Sequence, residues 1–518
     1  MKNNRTSEFG REYNFENIKD IDEYRKKIAL STYVDYEKYI DKMERGEKNI
    51  LVTDNISYFA HTSGTTGKQK LIPVTKKGLH KASKYMAILL TKFAFNNFKE
   101  KWNYGKGLLV ADIVMTSSTK GGAPICSATS GGMKGIKCIL PYLYTSPIEI
   151  MQIEDKDTAA YLHILFGLAD SKLLYISGVF ISNILDLFRV LEKEYFNLIH
   201  DIRKGSINRS LKIDNKIRKK LNKYLIPNAT RADFLEKEYK KGIKGIVKRI
   251  WPSLNYIATV TGANFSIYDD KVNYYTDGIP IYSPLYAATE ATIGINPYAN
   301  EIRYVVIPDT VFYEFIPIEF CKEKNPKTYL INELEVDKIY EIVITNYAGL
   351  YRYRIGDVIK VVGYYNNSPE IIFLYRKNQL LNMVSEKTNE DHITTALKET
   401  ISKFKLSLID YTTLPDNNLT PGRYNWDCEF KEHIDTYTKR QLGIYLDERL
   451  RKANLAYDRA RKNKKLDKVN VFIVKKDTFN YIKEYMFKKG ISKNQIKIPR
   501  VILNNRELKE ILTKESYK

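Results

Sequence analysis

A segment rich in glycine and hydroxyl side chains is the part of the chain best suited to phosphate chemistry. It runs His61-Thr-Ser-Gly-Thr-Thr-Gly-Lys-Gln-Lys70. Glycines let backbone N–H groups approach phosphate oxygens closely, while hydroxyl and ammonium groups add donors and positive charge. A Walker A loop is excluded, because it needs four residues before its Gly-Lys pair and a Ser or Thr after it. A different phosphate-binding loop and an ordinary polar turn both stay open at this point.

Two motifs farther along the chain have side chains that could complete a nucleotide site. The segment Tyr286-Ala-Ala-Thr-Glu290 offers an aromatic face that can stack on a base and a carboxylate that can reach a phosphate-bound metal. The segment Gly349-Leu-Tyr-Arg-Tyr-Arg-Ile-Gly-Asp357 places an aspartate after a glycine, at the start of a predicted strand, where it can accept both ribose hydroxyls. Thr-Glu and Gly-Asp alone are common at caps and turns. Their order after the Gly/Thr segment favours nucleotide binding.

The spacing of apolar residues predicts the elements that must position these motifs. Ile56–His61 is predicted to be a strand that enters the Gly/Thr segment, and Thr75–Lys99 has helical spacing. Residues 12–50 and 155–250 are predicted to be largely helical. From Asn255 onward the period shortens, and the predicted strands are Tyr256–Val260, Ile279–Ser283, Val305–Ile307, Phe312–Phe320, Ile339–Thr345, Val358–Tyr364 and Glu370–Leu374.

The chain beyond Arg376 reads as a second domain. A polar stretch, Lys387-Thr-Asn-Glu-Asp391, is followed by alternating helical and extended segments, which is typical of a small α+β domain of ~130 residues. A chain of 518 residues also exceeds the size that one hydrophobic core usually serves. We therefore predict an α/β protein with two domains, residues 1–380 and 381–518. Pro415–Arg423 is predicted to be a turn inside the second domain.

Composition and charge bear on location and partners. The N-terminus lacks the apolar stretch of a signal peptide, and no apolar run is long enough to cross a bilayer, so a cytoplasmic protein is expected. The four cysteines show neither paired nor metal-type spacing and are expected to be reduced. The net charge of +23 raises the possibility of a polyanion partner. However, the basic clusters at Lys212–Lys223, Lys237–Arg249 and Arg449–Lys468 carry apolar stripes, which predicts helices with solvated lysines.

Taken in order, these motifs resemble the signature of the adenylate-forming superfamily of acyl-CoA synthetases, nonribosomal adenylation domains and luciferases. Within it, the chain is most similar to the Gretchen Hagen (auxin-responsive) acyl acid amido synthetase family, over nearly its whole length. The matching segments are 36–46, 144–147, 251–256, 260–263, 347–357, 375–378 and the closing Gln495-Ile-Lys-Ile-Pro-Arg500. The resemblance implies a large N-terminal domain of sheets and a β-barrel packed with helices, and a small, mobile α+β C-terminal domain.

The resemblance also implies a role in nucleotide binding for a set of motif residues. Those that would hold the triphosphate are Ser63, Gly64, Thr65, Thr66 and Gly67, with Lys70 nearby. Those that would lie along the adenine are Thr261, Gly262 and Ala263, with Tyr286 stacked on the ring; Thr289 is also assigned to nucleotide binding. Asp357 would accept the ribose hydroxyls, Arg376 would mark the hinge between the domains, and Lys387 would face the nucleotide.

Two residues would take part in the chemistry itself. By the resemblance, Glu290 would bind Mg²⁺, and Lys497 would reach the α-phosphate and the acid carboxylate during adenylation. The sequence departs from the family pattern at a few neighbouring positions. Thr62 and Thr289 stand where the plant members usually have serine, which keeps the hydroxyl, and Ile496 stands where tyrosine is common.

These expectations predict an ATP- and Mg²⁺-dependent ligase that activates a carboxylic acid as an acyl-adenylate and transfers the acyl group to an amine, an amino acid in most of the family. Two alternatives stay open. The acceptor could be coenzyme A or a carrier protein, which would give a thioester. The chain could instead be a basic polyanion-binding protein on an inactive adenylation scaffold. The expected partners are small substrates, with no specific nucleic acid, no membrane and a monomeric state. The sequence identifies neither the acid nor the acceptor.

Overall fold

The computed structural model describes residues 1–61, 70–111, 113, 115–261, 268–377, 380–384, 386–491, 496–503 and 505–517, without the side chains of residues 116 and 156. The chain divides into two compact units. The N-terminal unit contains Met1–His61, Leu71–Ile355 and Lys360–Ile372. The described residues of the C-terminal unit are residue 70, Gly356–Ile359 and those of Phe373–Lys518. The domain boundary between residues 380 and 381 stays a prediction.

The strands are numbered in chain order. They are β1 Ile56–His61, β2 Leu71–Thr75, β3 Gly107–Val110, β4 Met115–Ser118, β5 Pro124–Cys126, β6 Tyr175–Phe180, β7 Tyr256–Val260, β8 Ile281–Tyr282, β9 Leu285–Ala287, β10 Thr292–Ile295, β11 Tyr304–Val306, β12 Phe312–Pro317, β13 Ile339–Thr345, β14 Tyr353–Tyr365, β15 Ser368–Arg376, β16 Leu408–Asp416, β17 Arg423–Phe430 and β18 Asn470–Ile473. All the strands predicted from Ile56 to Leu374 are present, some with shifted ends. The strands that were not predicted in this range are β2, β3, β4, β5, β6, β9 and β10.

The helices are numbered in the same way. They are α1 Glu8–Glu12, α2 Ile21–Lys27, α3 Tyr33–Glu44, α4 Lys76–Tyr85, α5 Thr91–Phe98, α6 Ala128–Gly135, α7 Leu140–Leu143, α8 Lys156–Ala169, α9 Ile181–Lys204, α10 Asn215–Tyr224, α11 Ala229–Tyr239, α12 Ile246–Ile250, α13 Asp269–Thr276, α14 Glu390–Phe404, α15 Thr436–Ala453, α16 Leu455–Lys462, α17 Thr478–Lys488 and α18 Arg506–Glu515. A π-helical turn at Met86–Leu90 joins α4 to α5, so the helix predicted at Thr75–Lys99 is confirmed with an irregular centre.

A parallel four-stranded sheet forms the main core of the N-terminal unit. Its strand order is β3-β6-β7-β8, and each neighbouring pair is parallel. Helix α9 supplies much of the core because its apolar residues recur every three or four positions, as in Leu187, Leu191 and Leu198, all of which are buried. The helix ends where Gly205 takes the left-handed φ of 64°. Trp251 is fully buried, and its indole N–H donates to the carbonyl of Gly167 at 3.0 Å.

Two further sheets include strands that carry candidate site residues or flank them in the sequence. One has the order β2-β1-β5-β4, with β1 and β2 antiparallel. The other has seven strands in the order β12-β13-β14-β15-β11-β10-β9. Its edge consists of the β9–β10 hairpin, in which Tyr286 faces Gly294.

The C-terminal unit has an α+β structure, as the sequence predicted. Its three-stranded sheet has the order β16-β17-β18, with β16 and β17 antiparallel and β17 and β18 parallel. The predicted turn at Pro415–Arg423 connects the first two of these strands. Alternating buried residues of the sheet, including Tyr411 and Trp426, form one part of its interior, while α14 packs against α15.

Three expectations about composition can be compared with the described residues. The four cysteines are free, two buried and two at least partly exposed. Within the described part of the chain, no helix has the length and apolar character needed to span a bilayer. The apolar stripe of the basic segment Arg449–Lys468 is buried at Leu450, Tyr457 and Ala460, which confirms that this segment is a pair of amphipathic helices.

Candidate functional site

The Tyr286–Glu290 motif forms one side and the tip of the β9–β10 hairpin. The backbone N–H of Ala288 donates to the carbonyl of Ala291 at 2.8 Å, and the reverse bond is 3.3 Å long. These bonds close a two-residue turn whose central residues are Thr289 and Glu290. Tyr286 is half-buried in β9, with its ring centre 5.5 Å from that of Tyr304. The hairpin therefore presents an aromatic ring, a hydroxyl and a carboxylate within five consecutive residues.

A residue that the sequence reasoning missed holds the tip of this hairpin. The side-chain amide of Asn346 donates to the main-chain carbonyl of Glu290 at 3.1 Å. The amide oxygen of the same side chain accepts from the N–H groups of Ala348 at 3.0 Å and Leu350 at 3.1 Å. Asn346 thus joins the turn that carries Glu290 to the loop that begins the Tyr347–Asp357 motif. Its place directly before that motif was the only signal in the sequence.

Thr261 lies just after β7, at the carboxyl end of the parallel sheet. Its hydroxyl donates to the carboxylate of Asp269, at the start of α13, over 3.1 Å. Ligands of open α/β sheets commonly bind at this edge, which agrees with the predicted place of the adenine. Gly262 and Ala263 lie outside the described residues, so their predicted part in the adenine site stays a prediction.

The predicted phosphate loop connects two paired strands. His61 at the end of β1 is antiparallel to Leu71 at the start of β2. The expectation that a strand leads through the loop to a helix is therefore wrong in one respect, because β2 comes before α4. The predicted triphosphate residues Ser63, Gly64, Thr65, Thr66 and Gly67 lie outside the described residues. Lys70 is described and is half-buried.

Asp357 and Arg376 form a bidentate ion pair in the C-terminal unit. The Arg376 Nε donates to one carboxylate oxygen at 2.5 Å, and Nη2 donates to the other at 3.1 Å. Asp357 is 1% exposed and lies within β14, not at the strand start where it was predicted. Gly356 before it has a φ of 85°, a backbone conformation that glycine adopts without strain. The pair fixes the orientation of a buried carboxylate suited to accept hydroxyl donors.

Lys497 belongs to the same cluster of charges. Its side chain is half-buried, and burial lowers the pKa of its ammonium group from the ordinary value. The carboxylates of Glu390 and Asp357 act to raise that pKa, while the guanidinium groups of Arg376 and Arg500 act to lower it. The structure therefore brings together three residues that the sequence singled out separately, Asp357, Arg376 and Lys497. An ammonium group held among such charges can stabilise negative charge on a phosphate.

Lys387 is exposed at the centre of a well-fixed loop. Its φ of 45° is left-handed, and its backbone N–H donates to the side chain of Asn382 at 3.2 Å. The neighbouring Glu386 is buried, where its carboxylate accepts from the N–H of Met383 at 2.7 Å and from the Tyr424 hydroxyl. The exposed lysine is therefore directly next to a buried, hydrogen-bonded glutamate. Its predicted approach to the nucleotide stays a prediction.

The chemistry of Glu290 fits one mode of Mg²⁺ binding. Among the described residues, no group of three or more His, Cys, Asp and Glu side chains is arranged to hold a metal ion. Mg²⁺ bound with a nucleotide is usually held by one or two carboxylates together with substrate phosphates. A single half-buried carboxylate at the hairpin tip is suited to that mode.

Comparison with protein-family models gives three consecutive matches. The GH3 family N-terminal domain matches residues 1–281, which is more than half of the chain. The chain belongs to the GH3 family. The central domain of the same family matches residues 304–376, and its C-terminal domain matches residues 391–506. The matches confirm the resemblance to this family. They include the segments around Asp357 and Lys497, whereas Tyr286–Glu290 lies between the first two matched ranges.

Individual GH3 relatives cover nearly the full chain. Indole-3-acetic acid-amido synthetase GH3.5 from Arabidopsis thaliana is 30% identical over 97% of this chain and 87% of its own length. The solved structure of GH3.15 acyl acid amido synthetase superposes with a TM-score of 0.87 and 25% identity, covering 100% of this chain and 92% of that one. A 2-hydroxyisobutyryl-CoA ligase structure matches with a TM-score of 0.56 and 11% identity over 98% of this chain and 88% of its own. That match shows that the GH3 chain has the fold of the adenylate-forming ligases.

Proposed function

We propose that this GH3 chain is an ATP-dependent acyl acid amido synthetase. It activates a carboxylic acid as an acyl-adenylate and transfers the acyl group to an amine, most simply an amino acid. The observation that carries the proposal is the buried Asp357–Arg376 ion pair, whose two charges both act on the Lys497 ammonium group, on residues of family motifs. Support also comes from the family itself, since the related proteins above are named as amido synthetases.

In the first step, an oxygen of the acid carboxylate attacks the α-phosphorus of ATP. A new P–O bond forms, the bond to the β-phosphate oxygen breaks, and pyrophosphate leaves with the electron pair. Negative charge concentrates at the α-phosphate, and Lys497 is the group proposed to stabilise it there. Asp357 would orient the nucleotide through the ribose hydroxyls, because Arg376 holds both of its oxygens in place.

Residues of the N-terminal unit would serve the base and the metal. Tyr286 offers a half-buried ring for stacking on the adenine. The Glu290 carboxylate would hold Mg²⁺, which neutralises phosphate charge when it is bound. Asn346 would keep the Glu290 turn in one position through its hydrogen bond to the main chain.

In the second step, the amine nitrogen attacks the carbonyl carbon of the adenylate. The C–N bond forms, the C–O bond to the phosphate breaks, AMP leaves, and the nitrogen loses a proton. A coenzyme A or carrier-protein thiol is the alternative acceptor. The amide is favoured because the GH3 relatives that match nearly the whole chain carry amido synthetase names, whereas the CoA ligase supports only the fold.

We propose small substrates as the partners of a cytoplasmic monomer. The basic helices support small substrates over a polyanion partner, because their lysines lie opposite buried apolar residues. In α10, for example, Leu221 is buried while Lys219 and Lys220 are exposed. Such an arrangement is typical of solvated helix faces.

The test is carboxylate-dependent exchange of radiolabelled pyrophosphate into ATP across a panel of acids, with Mg²⁺ present or chelated. We expect exchange with at least one acid, and loss of that exchange on chelation. The active acids are then combined with amino acids, other amines and coenzyme A, and products are scored by mass. Amide products support the proposal. Exclusive thioester formation would contradict the amide assignment, and no exchange with any acid would contradict adenylation.

A further inference from the structure

The segment that carries Lys497 is fixed by a buried ion pair three residues beyond it. Arg500 is 3% exposed, and its guanidinium donates to the carboxylate of Asp410, which is equally buried. The same guanidinium donates to the carbonyl of Tyr411 at 2.7 Å and lies 4.4 Å from the centre of that ring. Ninety positions separate the two charged partners in the sequence.

The backbone around Arg500 is also held directly by strand β16. The Thr412 hydroxyl donates to the carbonyl of Pro499 at 2.6 Å. The N–H and the hydroxyl of Thr413 both donate to the carbonyl of Arg500, at 2.9 and 2.5 Å. The N–H of Ile502 returns a bond to the carbonyl of Thr413 at 2.9 Å. The segment that follows Lys497 is therefore hydrogen-bonded to β16 at Pro499, Arg500 and Ile502.

Lys497 itself lies between two apolar anchors. Ile496 and Ile498 are both buried, in one cluster with Leu414 of β16 and Phe479 of α17. Because both neighbours pack into the core, the backbone at Lys497 has little freedom to shift. The isoleucine at position 496, where the family commonly has tyrosine, is thus accommodated as a core residue.

A buried ion pair is weak support for stability, because the cost of desolvation offsets much of the attraction. The geometry of such a pair, in contrast, is well defined. A planar guanidinium can donate to a carboxylate and a carbonyl at the same time in only a few orientations. From these contacts we infer that Asp410 and Arg500 are positioning residues, which hold the Pro499–Ile502 segment on β16 and so place the Lys497 ammonium for adenylation. This inference rests on the proposed function and explains the Pro-Arg end of the closing motif.

The decisive variant is Asp410→Asn, which keeps the side-chain volume and removes the charge. Two reactions are compared: pyrophosphate exchange, which needs Lys497, and amide formation from a chemically synthesised acyl-adenylate, which does not. We expect the kcat of exchange to fall about 100-fold, as misplacement of a catalytic group by about 1 Å can cause, with the KM for ATP and acid nearly unchanged. Amide formation from the supplied adenylate should stay at the wild-type rate.

A matched control is available in the same unit. Asp447 is also buried and accepts from Arg461 at 3.1 and 3.2 Å, but the residues it bonds lie outside the Ile496–Ile502 segment. Asp447→Asn should leave both reactions near their wild-type rates. If it lowers exchange as strongly as Asp410→Asn, the effect is general loss of stability and the inference is wrong.

Arg500→Lys provides a second variant if Asp410→Asn does not fold. Lysine keeps the positive charge but lacks the planar guanidinium. Pyrophosphate exchange should therefore fall below the wild-type rate, but by less than 100-fold. Amide formation from the supplied adenylate should again be retained. If the folded variants exchange pyrophosphate at the wild-type rate, or lose both reactions equally, the positioning role is wrong. The proposed function is not affected by either result. Absence of exchange in the unmodified protein, by contrast, overturns the proposed function together with this inference.

Discussion

Asp427 is expected to make the stability of the C-terminal unit depend on pH. The residue lies in β17, is 4% exposed, and has the Ser516 hydroxyl at 3.5 Å from one carboxylate oxygen. Burial raises the pKa of this carboxyl from 3.8 to about 7. The folded state therefore binds the proton more tightly than the unfolded state. The stability gained in this way is fully present below pH 3.8 and is lost as the pH rises through about 7.

The magnitude follows from the same two values. At about 1.4 kcal/mol per pKa unit, the interval from 3.8 to about 7 corresponds to about 4 kcal/mol once the group is ionised in both states. Roughly 2 kcal/mol of this is already lost at pH 5. Asp427→Asn stays neutral at every pH and has nearly the same volume. The variant should therefore be more stable than wild type, and its advantage should grow by about 2–3 kcal/mol between pH 5 and pH 8.

The measurement is hydrogen exchange of peptides covering β17 as a function of urea concentration, which reports unfolding of this unit. Asp447→Asn is the control. Its carboxylate accepts from the Tyr457 hydroxyl at 2.6 Å and from Arg461, so its loss should destabilise the unit by a similar amount at both pH values. An advantage of Asp427→Asn that does not change between pH 5 and pH 8 would refute the reasoning. So would a variant that is less stable than wild type at pH 8.

Substitutions at three further positions test contacts of the N-terminal unit. Asn346→Ala removes the hydrogen bond to the Glu290 carbonyl, worth about 1 kcal/mol, and should raise the Mg²⁺ concentration for half-maximal exchange several-fold; an unchanged requirement counts against its role. Tyr286→Ala should raise the KM for ATP about tenfold by removing a stacking surface, whereas Tyr286→Phe should not; equal KM values for both variants would contradict stacking. Arg352→Met removes the 3.0 Å partner of the buried Glu314 carboxylate, which keeps Arg25 at 3.2 Å, and should destabilise the unit by about 2–3 kcal/mol. Thermal denaturation tests this, and an unshifted midpoint would contradict it.

Local sequence patterns were sufficient for the elements with strong periodicity. Ile56–His61, Tyr256–Val260 and Ile339–Thr345 are strands at the predicted residues, because aliphatic, aromatic and β-branched side chains make up most of each segment. Strand β6 was missed because Tyr175–Phe180 is embedded in a long stretch of helical spacing. The two strands of the β9–β10 hairpin are only three and four residues long, so no periodicity can develop in them.

For the candidate site, the sequence likewise predicts individual residues but not the long-range contacts between them. The motifs identify Asp357, Arg376 and Lys497 individually, because residue type and order are local properties of the chain. Their common cluster depends on how the C-terminal unit folds, and no spacing in the sequence predicts it. The contact from Asn346 to Glu290 likewise spans 56 positions, so it could not be read from either segment.

The central claim is that Lys497 stabilises the transferring phosphate during adenylation. The most direct measurement is pyrophosphate exchange by Lys497→Ala, with Lys489→Ala as a control. Lys489 belongs to the same unit but is 55% exposed and pairs with Glu507 at the surface. Loss of the ammonium charge should lower the kcat of exchange by at least about 100-fold, while amide formation from a supplied acyl-adenylate and the exchange of the control variant stay near wild type. Exchange by Lys497→Ala at the wild-type rate would contradict the account.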